Sequence, residues 1–173
     1  MYAFKSLIMK KILIILALTF SLGTVQAFSL DSLFAKKTIQ LAEFSVTDIK
    51  GKTYNNHTVK GKYLVVNFWA TWCPPCLKEI PDFVDFYSEY SDRVEILGMN
   101  YEKADKEKVI DFIDSFMVNY PIILDNKTNK PAFQKFGEVI GMPTTFVYAP
   151  DGALIKYYEG AIDMQTLKKS IGL

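Results

Sequence analysis

Two cysteines and one histidine are all the thiol and imidazole chemistry in a chain of 173 residues. That scarcity excludes a disulfide-stapled scaffold, which needs several bridges to stand in for a core. It also excludes a closed zinc site. Four ligands are needed, and neither a second C-x-x-C nor a pair of histidines is there to supply them. The chain has no internal repeat and no low-complexity tract, so neither a solenoid nor a disordered tail fits. Charge does not accumulate either: 20 basic residues face 19 acidic ones, which leaves no strong field for nucleic acid or an anionic membrane surface. What remains is about one domain's worth of chain, half of it hydrophobic.

Part of that apolarity belongs to the N-terminus. Lys10 and Lys11 precede the run Ile12-Leu13-Ile14-Ile15-Leu16-Ala17-Leu18, and small residues surround Ala27. A positive start, an apolar stretch and a small-residue cut predict a secretory signal over residues 1–27. A start at Met9 would be more typical of such a leader. The apolar run is short for a membrane span of about 20 residues, so cleavage after Ala27 is expected, with an uncleaved anchor as the alternative. No cysteine follows the cut, so a lipidated N-terminus is not expected. The remaining 146 residues carry 17 basic and 19 acidic side chains, a balance of −2. They suffice to bury a core without staples, so the cysteine pair is not needed to hold the fold. Residues 28–38 are expected as a linker and 39–173 as the folded domain.

Along that domain, residues 41–47 alternate, and a glycine-containing turn at Gly51 predicts a hairpin returning through Thr53 and Tyr54. The lone His57 lies in a polar stretch and is expected as a solvated loop residue. Residues 63–69 are too continuously apolar for an edge strand and predict a central strand covered on both faces. Its one polar side chain, Asn67, needs a partner if buried. A helix follows from Pro74 to about Tyr90, with Leu77, Ile80, Val84 and Tyr87 as its inward stripe and Pro81 offsetting it. Further expectations are a strand at 94–100 and a helix at 103–119 with Val109, Phe112, Ile113, Phe116 and Met117 on one face. Beyond these come a strand at 121–125, a small helix at 130–136 ended by Gly137, and strands at 144–148 and 153–158 joined by Pro150-Asp151-Gly152. A last helix at 164–171 turns Leu167 and Ile171 inward. Alternating strands and helices predict an α/β fold, a mixed and mainly parallel sheet flanked by helices.

Both cysteines sit where the central strand passes into the helix, in W-A-T-W-C-P-P-C. A structural disulfide at this spacing closes so small a ring that it removes almost no unfolded-state entropy. Thiol–disulfide exchange needs one exposed thiolate, a second thiol nearby and a helix N-terminus that favours the anion. The local sequence supplies all three. Position assigns the roles: Cys73 at the mouth of the helix attacks and forms a mixed disulfide, and Cys76, one turn inward, resolves it. Cys76 must then lose a proton in a buried place. Glu79, three residues on, is a neighbour on the helix. On spacing alone it is equally a solvated carboxylate or the proton acceptor.

These motifs, with Pro81 after the pair and Gly141-Met142-Pro143-Thr144-Thr145-Phe146 far downstream, resemble the thioredoxin superfamily. The N-terminal hairpin, the extra central βα insertion and the leader are similar to its exported ResA/TlpA-like branch. The resemblance implies a thioredoxin fold and a protein-disulfide reductase, usually serving cytochrome c maturation. It implies no cofactor beyond the redox-active Cys73–Cys76 disulfide. It also implies a cis Met142–Pro143 bond, and a client-binding wall of Trp72, Met142, Pro143 and Thr144. Asn67, Trp69, Pro74, Pro75 and Pro81 would be structural neighbours of the site. Cytoplasmic members have an aspartate where this chain has Asn67, and an amide cannot accept a proton. The exported branch tends to pair Asn with a glutamate matching Glu79, which makes Glu79 the favoured acceptor. The implied partners are client protein disulfides, apocytochrome c among them, and a membrane thiol reductase that recharges the pair. The implied location is the periplasm or the outer face of the cytoplasmic membrane, and a monomer is expected.

Pro74 and Pro75 have no N–H, so two donors that could stabilise a Cys73 thiolate are missing. A moderately lowered thiol pKa and a reducing potential follow. The competing readings are a dithiol oxidase or isomerase and a copper(I)-binding module using Cys73, Cys76 and Met142. Copper chaperones of this fold usually space their cysteines more widely and add a late histidine. A peroxidase is weaker still, because P-x-x-x-T-x-x-C is absent.

Overall fold

A computed structural model describes residues 38–173; the leader and most of the linker expected from sequence lie outside the described residues. Strand β3 (Tyr63–Trp69) is the centre of a five-stranded sheet in which β4 (Val94–Asn100) and β5 (Ile122–Leu124) follow on one side. On the other side stand β6 (Thr144–Tyr148) and β7 (Leu154–Glu159). The pairings β3–β4 and β4–β5 are parallel, and β3–β6 and β6–β7 antiparallel. Only β6 therefore runs against the other strands. The hairpin of β1 (Ser45–Thr47) and β2 (Thr53–Asn55) forms its own two-stranded sheet. Buried Asn129 clamps it through both atoms of its amide, accepting from Thr47 N–H and donating to Thr47 C=O at 2.9 Å each.

The unbroken apolarity of β3 has its reason in two cores. Val65 and Trp69 belong to one cluster with Ile96, Phe83 and Phe86. Leu64, Val66 and Phe68 belong to another with Leu97, Met99, Phe133 and Phe146. Helices α1 (Pro74–Tyr90), α2 (Lys106–Ser115) and α4 (Met164–Ser170) feed the first cluster. The hairpin and the short α3 (Lys130–Phe133) feed the second. Asn67, between Val65 and Trp69, therefore points into the first layer.

Helix α1 has the expected bounds, and Pro81 lies exposed within it. Its buried stripe is rotated from the expectation: Cys76, Glu79, Ile80, Phe83 and Phe86 are inward, and Leu77, Val84 and Tyr87 are half-buried. The rotation is set at the start of the helix, where Cys76 is buried and joined to the N-cap residue Cys73. Helix α2 is shorter than 103–119. Asp105 stands at its N-cap, and Met117 adopts φ 52°, which ends it. That left-handed residue leaves the helical stripe, so Met117 is 79 % exposed and not in the core.

Gly137 follows α3 with φ +137°, and a Cβ there would fall 2.3 Å from the Phe146 ring. Gly137→Ala combines overpacking with backbone strain. It is expected to lower stability by about 1–3 kcal/mol, read as a lower denaturant midpoint at unchanged m-value.

Candidate active site

The elbow between β3 and α1 is held from the segment just after β4. The Glu102 carboxylate accepts from Thr71 N–H at 2.9 Å, from Thr71 Oγ1 at 3.1 Å and from Asn100 Nδ2 at 2.9 Å. This brace, which nothing in the sequence signalled, places Cys73 at the N-cap of α1. There Cys76 N–H donates to Cys73 Sγ at 3.4 Å, and Pro74 and Pro75 occupy the first two helical positions. Cys73 and Cys76 are joined as a disulfide with S–S 2.07 Å.

The two sulfurs differ in access. Cys73 lines an open groove of about 410 Å³ together with Trp72, Pro74, Tyr101, Ile140 and Met142, and Cys76 does not. Exposure is 3 % at Cys73 and zero at Cys76. Sequence reasoning asked for an exposed sulfur. The oxidised pair instead offers one that is reached only along the groove, because α1 and the facing loop close over it. The groove is apolar and unusually bare: Trp72 is 63 % and Ile140 77 % exposed. A second depression, of about 430 Å³, adjoins it through Tyr101 and Val139.

The facing loop carries a cis Met142–Pro143 bond. Met142 N–H and C=O have no hydrogen-bond partner among the described residues, so both remain available to another backbone. Pro143 and Thr144 are used differently from the expected client wall. Both are buried; the Pro143 carbonyl accepts from Gly160 N–H at 2.8 Å, and the Thr144 hydroxyl donates to the Gly141 carbonyl at 2.7 Å. They shape the loop from beneath. Tyr101 and Ile140, which the sequence did not single out, take the surface. Trp69 is also beneath the site, 5.3 Å from the Phe112 ring in the core.

Three residues along α1 from Cys76, Glu79 forms a buried pair with Asn67, each 2 % exposed. Asn67 Nδ2 donates to Glu79 Oε1 at 2.8 Å, and Ile162 N–H donates to Glu79 Oε2 at 3.1 Å. Burial pushes the Glu79 carboxyl up from 4.5 to about 7, against these two hydrogen bonds, which favour the anion. A carboxyl poised there can take or give a proton at neutral pH. The asparagine that cannot accept a proton thus anchors the glutamate that can. His57 is exposed, in the turn after β2.

The AhpC/TSA family model matches residues 38–157. The thiol–disulfide oxidoreductase ResA of Bacillus subtilis is 36 % identical, over 69 % of this chain and 65 % of that protein. Sporulation thiol-disulfide oxidoreductase A of the same organism is 30 % identical, over 80 % of this chain and 77 % of its own length. The crystal structure of StoA from Bacillus subtilis superposes with a TM-score of 0.64 at 32 % identity, covering 75 % of this chain and 96 % of that one. Fold, cysteine pair and relatives agree: the chain belongs to the AhpC/TSA family, as a thioredoxin-fold thiol–disulfide oxidoreductase of the ResA and StoA type.

Proposed function

We propose that this oxidoreductase is exported and works as a reductant of client protein disulfides. The observation that carries the direction is the donor count at Cys73. Among the described residues its sulfur receives one backbone N–H, from Cys76 at 3.4 Å, because Pro74 and Pro75 have none to give. A thiolate with few donors is less stabilised, so the dithiol is the less stable form and gives up electrons more readily. In the reaction, the Cys73 thiolate attacks a client sulfur, forming the mixed disulfide and releasing one client thiolate. Cys76 passes its proton to Glu79 and attacks Cys73 Sγ, which frees the second client thiolate. Two electrons have then moved to the client, and Cys73–Cys76 is oxidised.

The free backbone of Met142 and the apolar rim of Trp72, Tyr101 and Ile140 suit an extended polypeptide with large apolar residues beside its cysteine. Apocytochrome c is the client class that the family resemblance suggests. The leader-like N-terminus supports a place in the periplasm or at the outer face of the cytoplasmic membrane. Among the described residues no helix is long and apolar enough to cross a membrane. An oxidising compartment does not regenerate a dithiol, so a membrane thiol reductase is the proposed electron donor.

Equilibration against a dithiothreitol or glutathione ladder tests the direction. The expected potential is well below the roughly −120 mV of a strong periplasmic oxidant, with a Cys73 pKa above about 5 by thiolate absorbance. A potential near that oxidant value, or a Cys73 pKa under about 5, would assign the chain to disulfide formation instead.

A further inference from the structure

Asn67 Nδ2 has two hydrogens, and both are used. One goes to Glu79 Oε1 at 2.8 Å and the other to Thr145 Oγ1 at 3.1 Å. Asn67 and Thr145 are register partners on the antiparallel strands β3 and β6, so their side chains share the sheet face that α1 covers. Thr144 points the other way, to Gly141. All three members of the chain Thr145–Asn67–Glu79 are buried: Thr145 has no exposed surface, and Asn67 and Glu79 have 2 % each. At that burial a lost partner is not replaced by bulk solvent.

We propose that Thr145 is a positioning residue for the buried proton acceptor: it holds the Asn67 amide in the orientation that presents a donor to Glu79. This rests on the reading of Glu79 as the acceptor of the Cys76 proton. Its physical basis is what happens when the threonine hydroxyl is removed. With valine at 145, one Asn67 hydrogen is buried without an acceptor whenever the amide donates to the carboxylate. Turning the amide over brings its oxygen to Glu79, a contact that only the protonated acid can satisfy. By either route the anion loses ground and the acid gains it. The other groups around Glu79 do not compensate. Ile162 N–H stays fixed by the backbone, and Asp82 on the same helix opposes the anion. Tyr120, itself buried and held protonated in part by the charge of Glu79, stays neutral through this range.

The test is a carboxyl titration of Glu79 by carbon-13 NMR in the oxidised full chain, beside the pH profile of mixed-disulfide resolution. Thr145→Val is expected to raise the Glu79 midpoint by about one pH unit and to move the inflection of the resolution rate with it. Thr145→Ser, which keeps the hydroxyl, is expected to restore both. If Thr145→Val folds poorly, Thr145→Ala removes the same hydroxyl at lower volume. An unmoved carboxyl midpoint in a folded Thr145→Val or Thr145→Ala protein overturns the proposal, and so does failure of serine to restore it. A midpoint that rises while the resolution profile stays put upholds the hold of Thr145 on Glu79 and rejects Glu79 as the acceptor.

Discussion

Cys76→Ser stops turnover and leaves clients covalently attached to Cys73. The expected fall in reduction of a protein disulfide is on the order of 10³-fold or more. The cause is the unequal access of the two sulfurs. Cys73 lines the groove, and Cys76 has no exposed surface behind it. A client sulfur meets Cys73 first, and the mixed disulfide can be broken from inside only by a thiol at position 76. A serine hydroxyl stays protonated and cannot displace a thiolate. The trapped species are read on non-reducing gels and identified by mass spectrometry, which also names the clients. Cys73→Ser is expected to trap nothing. Equal trapping on Cys76 in that variant would reverse the assignment of the two roles.

Glu79→Gln slows resolution by about 10²-fold above pH 7 and removes the inflection near neutrality, because the amide cannot take the Cys76 proton. The same substitution has a second readout that is independent of activity. Glu79 titrates at about 7 in the folded protein against 4.5 in its ordinary state. A carboxyl raised in this way binds its proton more tightly when folded, so between those two values the folded state carries more protons than the unfolded one. Stability from this group is complete below about pH 4.5 and is lost as pH rises towards 7, by about 3 kcal/mol in all. Denaturant melts of the wild type should show that decline, and Glu79→Gln should lack it. The slope matters more than the absolute value. Glutamine has one oxygen for the two donors, Asn67 Nδ2 and Ile162 N–H, and one of them loses its acceptor. Unchanged pH–rate behaviour in the variant would take Glu79 out of the mechanism.

Much of this was legible in the chain itself. The bounds of β3 and α1 were readable because a doubly covered strand has no polar alternation and a proline pair suits only the first turn of a helix. The link between a non-acidic Asn67 and Glu79 came from the family resemblance, since spacing alone left Glu79 equally a solvated carboxylate. The inward face of α1, by contrast, depended on how the helix is anchored at Cys73. Periodicity alone could not tell the stripe through Leu77 and Val84 from the one through Cys76 and Phe83, since both are apolar at helical spacing. Met117 was misplaced because a left-handed residue at a helix end leaves no mark in hydrophobic pattern when it is not glycine. The loop at Met142 was recognisable as a motif. Which of its members faces outward was not.

Sequence by itself determined the chemistry: two thiols three residues apart at a strand-to-helix junction, no other metal-ligating set to claim them, and prolines that withhold backbone donors. Those are properties of neighbours along the chain, and local physics is enough to read them. Tertiary structure decided which sulfur can be reached, which residues form the groove, and how Glu79 is held by Asn67, Thr145 and the Ile162 backbone. Those contacts join residues up to 83 positions apart, and they exist only because the antiparallel register of β3 and β6 sets Asn67 opposite Thr145 on the face that α1 covers. A one-residue slip of that register would turn Thr144 inward in its place, and nothing local in the chain distinguishes the two threonines.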